Sequence, residues 1–331
     1  MLSSYAVQPC VVALERPTSL DPGRGFVYSY WTVSRPSHDS GPTVGLVGLG
    51  NMGTAMAERL LGAGYPLVVH NRTGAKAEPL AAAGATVAGS AGELAAAVDV
   101  VITSLANDEA LESVAAEVVA AARPGTVLVD VSTVSPAVSA RVASLADQAS
   151  VAYLRAPVSG NPSVVRAGKL SFIVSGPRET LERVEPLILA IGPTIHHVGE
   201  AEEARIVKLA VNLVLGGLAQ LMSEALVLGE AAGVSRAALL EVMGSSAAGA
   251  PFVKYKTEAL LRDDFSATFT TALMEKDVDL VLDAADEHGV ELPIARELKD
   301  ILRGAIDAGY GDDDFISLFL YLRNRAHEAV R

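Results

Sequence analysis

Short apolar runs alternate with longer Ala-rich stretches along most of the chain. From Thr43 onward, Val44–Val47, Leu67–Val69, Val100–Thr103 and Val127–Val131 are short runs dominated by β-branched and aliphatic residues. That is the pattern of strands buried on both faces. Between them, Met52–Ala63, Ala75–Ala83 and Glu109–Ala122 carry helical periodicity, and Arg123-Pro124-Gly125 closes the last of these with helix-stopping chemistry. Alternation at this spacing implies an α/β fold with a parallel sheet covered by helices. Further strands are expected at Val151–Leu154, Leu170–Val174 and Thr194–Val198. After Gly199 strand patterns stop. Helical stretches then run over Glu202–Ala232, Arg236–Met243, Leu273–Glu287, Pro293–Ala308 and Phe315–Val330. The first of these would be about 45 Å long as a single helix, enough to leave one domain and pass through the core of the next.

Residues 1–42 stand apart. They hold the only tryptophan, Trp31, and show no sustained periodicity. Glu15, Arg16 and Pro17 follow the short apolar run Cys10–Leu14, a poor match to a signal peptide. A disordered extension, or a start placed too far upstream, is the expectation. The remaining boundaries follow from the change of pattern: residues 43–200 as the strand–helix domain and 201–331 as the helical one.

Composition narrows the function. Half of the 331 residues are apolar, enough for a substantial core. A net charge of −13 repels nucleic-acid backbones and anionic lipid, so neither partner is expected. The longest apolar stretch, Leu209–Met222, contains Asn212 and Gln220 and is too short to span a bilayer. A single cysteine cannot form an internal disulfide, and a cytoplasmic location is expected. His196-His197 has no cysteine or carboxylate cluster at ligand spacing, so no metal site is expected.

The strongest motif is Gly48-Leu49-Gly50-Asn51-Met52-Gly53. A bare GxGxxG is weak evidence, but this one follows an apolar strand and opens a helix in the first strand–helix unit. Gly48 permits the tight turn, Gly50 lets backbone approach a pyrophosphate, and Gly53 lets the helix pack on the strand. The helix N-terminus then offers N–H groups to the phosphates. The context predicts a Rossmann-type dinucleotide-binding domain followed by an all-helical C-terminal domain, joined by a long helix.

The end of the second strand discriminates between cofactors. NAD-binding proteins usually place an acid there for the ribose hydroxyls. This chain reads His70-Asn71-Arg72-Thr73. Arg72 can pair with a 2′-phosphate, with Asn71 and Thr73 as neutral donors, which favours NADP (NADPH). A solvated loop cation is the competing reading of Arg72.

Four segments together resemble the β-hydroxyacid dehydrogenases: Val44–Thr73, Asp130-Val131-Ser132-Thr133, Ala156-Pro157-Val158-Ser159-Gly160, and the helix carrying Lys208 and Asn212. That family includes 3-hydroxyisobutyrate dehydrogenases, tartronate semialdehyde reductases and glyoxylate/succinic semialdehyde reductases. The resemblance covers nearly all of residues 43–331. It implies a homodimer or homotetramer acting on a small-molecule substrate. It also implies that Lys208 is the catalytic lysine, Asn212 its partner one turn later, Ser159, Gly160 and Asn161 the substrate loop, Thr133 a residue near the nicotinamide, and Lys276 a lysine reaching the cofactor from the helical domain. The chain departs from the family at Asn161 and Arg155, where glycine and an acid are usual, and at Ala204 for a common glycine. The first two changes are expected to line the acyl pocket.

The chemistry of these residues agrees. Lys208 and Asn212 stand at i and i+4, on one helix face. Carbonyl reduction needs a proton on oxygen as hydride reaches carbon, and an ammonium can donate it. Alcohol oxidation needs the neutral amine, so burial or a nearby cation must lower its pKa. Competing structural readings are a rim lysine snorkelling to water for Lys208, an ordinary surface pair for Lys276-Asp277, and a plain turn for Ser159-Gly160. Two other functions fit the fold. Imine reductases resemble the chain overall but carry Asp or Tyr at the lysine position. A non-catalytic NADP-binding assembly protein would have lost the lysine.

Overall fold

A computed structural model describes residues 41–329, so the expectations for residues 1–40 lie outside the described residues. Nine strands form one sheet: β1 (Val44–Val47), β2 (Leu67–His70), β3 (Thr86–Val87), β4 (Val100–Thr103), β5 (Val127–Asp130), β6 (Ala152–Arg155), β7 (Val158–Ser159), β8 (Ser171–Ser175) and β9 (Thr194–Gly199). Their order is 3-2-1-4-5-6-8-7, with β9 paired to β8. The connecting helices are α1 (Asn51–Gly62), α2 (Glu78–Ala82), α3 (Ala91–Ala97), α4 (Asp108–Ala121), α5 (Pro136–Gln148), α6 (Pro162–Arg166) and α7 (Arg178–Ile191). The helical region comprises α8 (Glu203–Ala231), α9 (Arg236–Ser245), α10 (Pro251–Arg262), α11 (Thr271–Glu287), α12 (Pro293–Ala305) and α13 (Leu318–Ala329).

Strands β1 to β6 are parallel, as their apolar runs predict. Alternate side chains feed two cores. Val44 and Leu46 face Met56 and Leu60 of α1, whereas Val47 and Val101 face Leu94 of α3 and Leu111 of α4. The sheet is not parallel throughout. β8 runs antiparallel to β6 and β7. The link between Arg155 and Ser171 holds only a two-residue strand and a five-residue helix. No long crossover helix carries the chain back to start a parallel partner, so it returns in the opposite direction. β9 restores the parallel sense after α7, which supplies such a crossover.

The order 3-2-1-4 puts a topological switch point beside β1, where loops leave β1 and β4 on opposite sides. Ligands of open α/β sheets bind in that crevice. On the other side of the sheet order, β9 leads into α8, whose 29 residues are about 44 Å long. By length and composition α8 could cross a membrane. It instead packs on β8 and β9 at its start and on α11, α12 and α13 further along. Leu209, Met222 and Leu226 of α8 meet Met274, Val278 and Leu302 there in a third core.

Candidate cofactor and proton-transfer site

The glycine turn has the geometry its sequence implies. Gly48 has φ +97°, and a Cβ there would lie 2.3 Å from the Ser104 carbonyl oxygen. A Cβ on Gly53 would sit 1.9 Å from the Gly48 carbonyl oxygen, so the first turn of α1 rides directly on the loop. Gly50 differs. A Cβ there meets no protein atom within 4 Å. Protein packing does not require that glycine, and its bare backbone borders open space, as close approach of a pyrophosphate needs. Among the described residues no side chain caps α1, which leaves its first N–H groups available to an anion. These features fit a dinucleotide.

Asn71 turns inward. Its Oδ1 accepts the Leu49 N–H at 2.9 Å and its Nδ2 donates to the Thr73 carbonyl at 3.0 Å. It ties the glycine turn to the end of β2, while the Leu49 side chain is buried beneath. Asn51, Met52 and Thr73 keep accessible surface around the turn. Arg72 is exposed and makes no hydrogen bond or ion pair among the described residues. It is free to meet an anion at the β2 end.

Lys208, on α8, donates to Asn212 Oδ1 at 2.9 Å, and Asn212 Nδ2 donates to Asp277 Oδ2 of α11 at 2.5 Å. Lys276 Nζ lies 2.8 Å from Asp277 Oδ1, an ion-pair contact without hydrogen-bond alignment, and donates to the Thr133 carbonyl at 2.8 Å. Thus Lys208, Asn212, Thr133 and Lys276 are brought into one chain of contacts between the sheet and the helical region. Burial pushes the Lys208 ammonium below the usual lysine range; Asp277 opposes the shift and Lys276 adds to it. The arrangement can hold a lysine in either protonation state without moving the backbone.

Ser159 ends β7, the edge strand beside β8, and Gly160 follows it; among the described residues no side-chain hydrogen bond joins either to Lys208 or Asn212. Gly160 has φ +142°, and a Cβ would press on Val164 and Leu170, so the turn requires glycine for structural reasons as well. Asn161 is already engaged. Its Oδ1 caps α6 through Val164 N–H at 3.0 Å, and its Nδ2 donates to the Tyr255 hydroxyl of α10 at 2.7 Å. Tyr255 in turn donates to Thr268. Asn161 therefore fastens the loop after β7 to the helical region. Arg155 departs from the acyl-pocket expectation. It is buried, forms an ion pair with Glu202 at the head of α8, and lies 4.7 Å over the Tyr153 ring. Its charge is neutralised inside the protein.

Several residues of the region escaped sequence reasoning. Asp277 was legible only as a neighbour of Lys276. Arg205 closes the charged stretch Glu202-Glu203-Ala204-Arg205, which reads as a solvated helix start, although a charge three residues before Lys208 on the same helix face was a usable signal. Tyr255 carried no signal. Among the described residues no group of three or more His, Cys, Asp or Glu could hold a metal ion. His197 instead bonds the Gly176 carbonyl and Arg178.

Comparison with known proteins follows the same division of the chain. A family model for the NAD binding domain of 6-phosphogluconate dehydrogenase matches residues 43–199, and one for the NAD-binding of NADP-dependent 3-hydroxyisobutyrate dehydrogenase matches residues 203–322. The chain is 34% identical over 275 residues to 2-(hydroxymethyl)glutarate dehydrogenase of Eubacterium barkeri, covering 82% of this chain and 91% of that one. It is 33% identical over 282 residues to the NAD-dependent L-serine dehydrogenase of Pseudomonas aeruginosa, covering 82% and 95%. Among solved structures, 3-hydroxyisobutyrate dehydrogenase of Mycobacterium tuberculosis with L-serine superposes with a TM-score of 0.79 at 34% identity, covering 85% of this chain and 99% of that chain.

Proposed function

Because this chain belongs to the β-hydroxyacid dehydrogenases, NAD(P)-dependent enzymes that act on CH–OH groups, we propose that it interconverts a small β-hydroxyacid or alcohol and its semialdehyde or keto form, with NADP(H) as cofactor and Lys208 as proton donor and acceptor. The observation that carries this reading is the Lys208–Asn212–Asp277 chain, linked through Lys276 to the Thr133 carbonyl at the end of the sheet. When bound, the nicotinamide would supply the hydride in reduction and accept it in oxidation. In reduction, the Lys208 ammonium gives its proton to the carbonyl oxygen as that hydride reaches carbon, and the product is the alcohol. In oxidation, the neutral Lys208 amine takes the hydroxyl proton, and its depressed pKa raises the neutral fraction. Asn212 aims the lysine through its carbonyl oxygen and adds no charge. Ser159 and Gly160 offer a hydroxyl and backbone N–H to the substrate carboxylate, while Asn161 holds that loop in place through Tyr255.

NADP over NAD rests on Arg72, which is exposed, unpaired among the described residues and free of a neighbouring acid in His70-Asn71-Arg72-Thr73. A homodimer or homotetramer belongs to the same reading. Val214, Leu221 and Leu228 stand seven residues apart on one face of α8 and are 61%, 64% and 73% exposed. A cytoplasmic location is consistent with the lone cysteine.

The test is oxidation of NADPH and NADH against short semialdehydes, keto acids and cyclic imines. Turnover of semialdehydes or keto acids with NADPH supports the reading. Turnover of cyclic imines alone would move an imine reductase ahead, and cofactor binding without any turnover would favour a non-catalytic role.

A further inference from the structure

Three polar side chains mark one stripe of α8. Arg205, Lys208 and Asn212 stand at i, i+3 and i+7, and so share a face. The proton-transfer reading uses the last two. Arg205 has no part in it, yet it is 1% exposed and is among the largest fully buried side chains. Its guanidinium donates to Asp130 Oδ2 at 2.5 Å, the Ser132 carbonyl at 2.7 Å, the Tyr153 hydroxyl at 2.9 Å and Ser139 Oγ at 3.1 Å. All four partners belong to the sheet side of the molecule.

Stability alone is a weak reason for such a group. Desolvation offsets most of the Coulomb gain of a buried ion pair, and apolar replacements of similar volume often do as well. What the pair fixes is geometry. Asp130 Oδ1 accepts Thr103 Oγ1 at 2.7 Å, Ser132 Oγ at 2.6 Å and the Ser132 N–H at 3.2 Å, and Ser132 Oγ accepts the Leu105 N–H. Arg205 therefore holds the loop after β5 in which Thr133 gives its carbonyl to Lys276. From Lys276 the contacts pass to Asp277, then to Asn212 and back to α8. They form a closed circuit that meets α8 at Arg205 and at Asn212. Lys208 lies between those two points.

We propose that Arg205 is a positioning residue for Lys208, pinning the first turn of α8 to Asp130 and to the Ser132 carbonyl so that the lysine meets the loop carrying Thr133 at one height and one rotation. The proposal rests on Lys208 as the proton-transfer group. Arginine is needed because three nitrogens in a fixed plane serve four acceptors at once, which a single ammonium cannot do. Each residue of α-helix turns about 100°, so small play at residue 205 swings the far end of a four-carbon stem three residues later. The same turn is held separately on its other side. Arg155 pairs with Glu202, and Ser175 Oγ donates to the Ala201 carbonyl and accepts the Ala204 N–H. Loss of the Arg205 fork thus leaves α8 docked while freeing its rotation.

The experiment compares wild type, Arg205→Lys and the neutral pair Arg205→Gln/Asp130→Asn, which leaves no buried charge uncompensated. Thermal melts, NADPH affinity, kcat and KM are measured for each, together with Lys208→Met alone and combined with Arg205→Lys. The expected result is a cooperative melt, NADPH affinity within about twofold of wild type, little change in KM, and a kcat lower by about 10–100-fold, the scale of a roughly 1 Å misplacement. Adding Lys208→Met to Arg205→Lys should then lower kcat by much less than Lys208→Met does alone, because both act through one group. A folded Arg205→Lys enzyme with wild-type kcat overturns the proposal, as do strictly multiplicative losses or loss of the cooperative melt in both Arg205 variants, since each of these is what no role or a merely structural one gives. Full activity of Lys208→Met alone would remove the proton-transfer reading itself, a separate result.

Discussion

The proposed phosphate-binding turn and the proposed proton-transfer centre are built from different materials. The turn is mostly backbone: Gly48, Gly50 and Gly53 lie within six consecutive residues, and Asn71 on the Leu49 N–H and Thr54 Oγ1 on the Leu49 carbonyl tie it down. The centre is mostly side chains, Lys208 and Asn212 from α8 and Lys276 and Asp277 from α11, closed onto two backbone carbonyls, Ser132 and Thr133, of the loop after β5. Their electrostatics also differ. Among the described residues the turn leaves a helix N-terminus uncapped and Arg72 unpaired, which suits an anion arriving from solvent. The centre pairs two of its three cations internally, Arg205 with Asp130 and Lys276 with Asp277, and gives Lys208 the neutral Asn212 as its hydrogen-bond partner. A site that receives charge is left open, and a site that must move one proton is held closed on itself.

That contrast breaks if mutations at one end produce the signature of the other. The largest effect should come from Lys208→Met, which keeps most of the stem and removes the ammonium. Turnover should fall by about 10²–10⁴-fold with NADPH binding intact, measured by steady-state kinetics and cofactor titration. Asn212→Ala should cost less, because Asn212 aims the lysine and carries no proton. A third region serves as control. Lys256 and Asp314 form another buried ion pair, in the helical region, with Phe252, Tyr255 and Phe315 around the ammonium. Lys256→Met strands the Asp314 charge and should destabilise by about 3–5 kcal/mol in denaturant titration. The molecules that remain folded should keep a near-wild-type kcat, with any change appearing in KM because the Tyr255–Thr268 contact behind Asn161 borders this pair, unlike Arg205 variants. The smallest effect belongs to the phosphate end. Arg72→Ala should weaken NADPH by about 1.5–3 kcal/mol, the range for hydrogen bonds to charged groups, leaving NADH affinity and kcat at saturating cofactor unchanged. Equal wild-type affinities for the two cofactors would remove Arg72 from the argument.

The two ends were unequally legible in the sequence for the same physical reason. A backbone site must be contiguous, so GxGxxG after the Val44–Val47 run displays it. The parallel strands showed because burial on both faces leaves unbroken apolar runs. A side-chain site has no such constraint. Asn212 and Asp277 are 65 residues apart, Arg205 and Asp130 are 75, and Lys276 and Thr133 are 143. No periodicity links positions that distant, and only the family resemblance brought Lys208, Thr133 and Lys276 together. Helices were missed where local rules mislead. Pro186 sits inside α7 and reads as a breaker, α6 spans five residues, and α3 has Gly92 and only seven residues. The reversal of β8 was invisible because strand direction depends on what the connection can span. Arg155 was assigned to the pocket by position along the chain, and its partner Glu202, 47 residues away, decided otherwise.

The pH dependence of alcohol oxidation in wild type and Lys208→Met tests the central claim most directly. Burial lowers the Lys208 pKa, and the reaction needs its neutral form. The wild-type rate should therefore rise with pH through a single ionisation below the ordinary lysine value of about 10.4, and in the folded Lys208→Met protein that rising limb should be absent. The same rising limb in both proteins, with equal rates above it, would contradict the account.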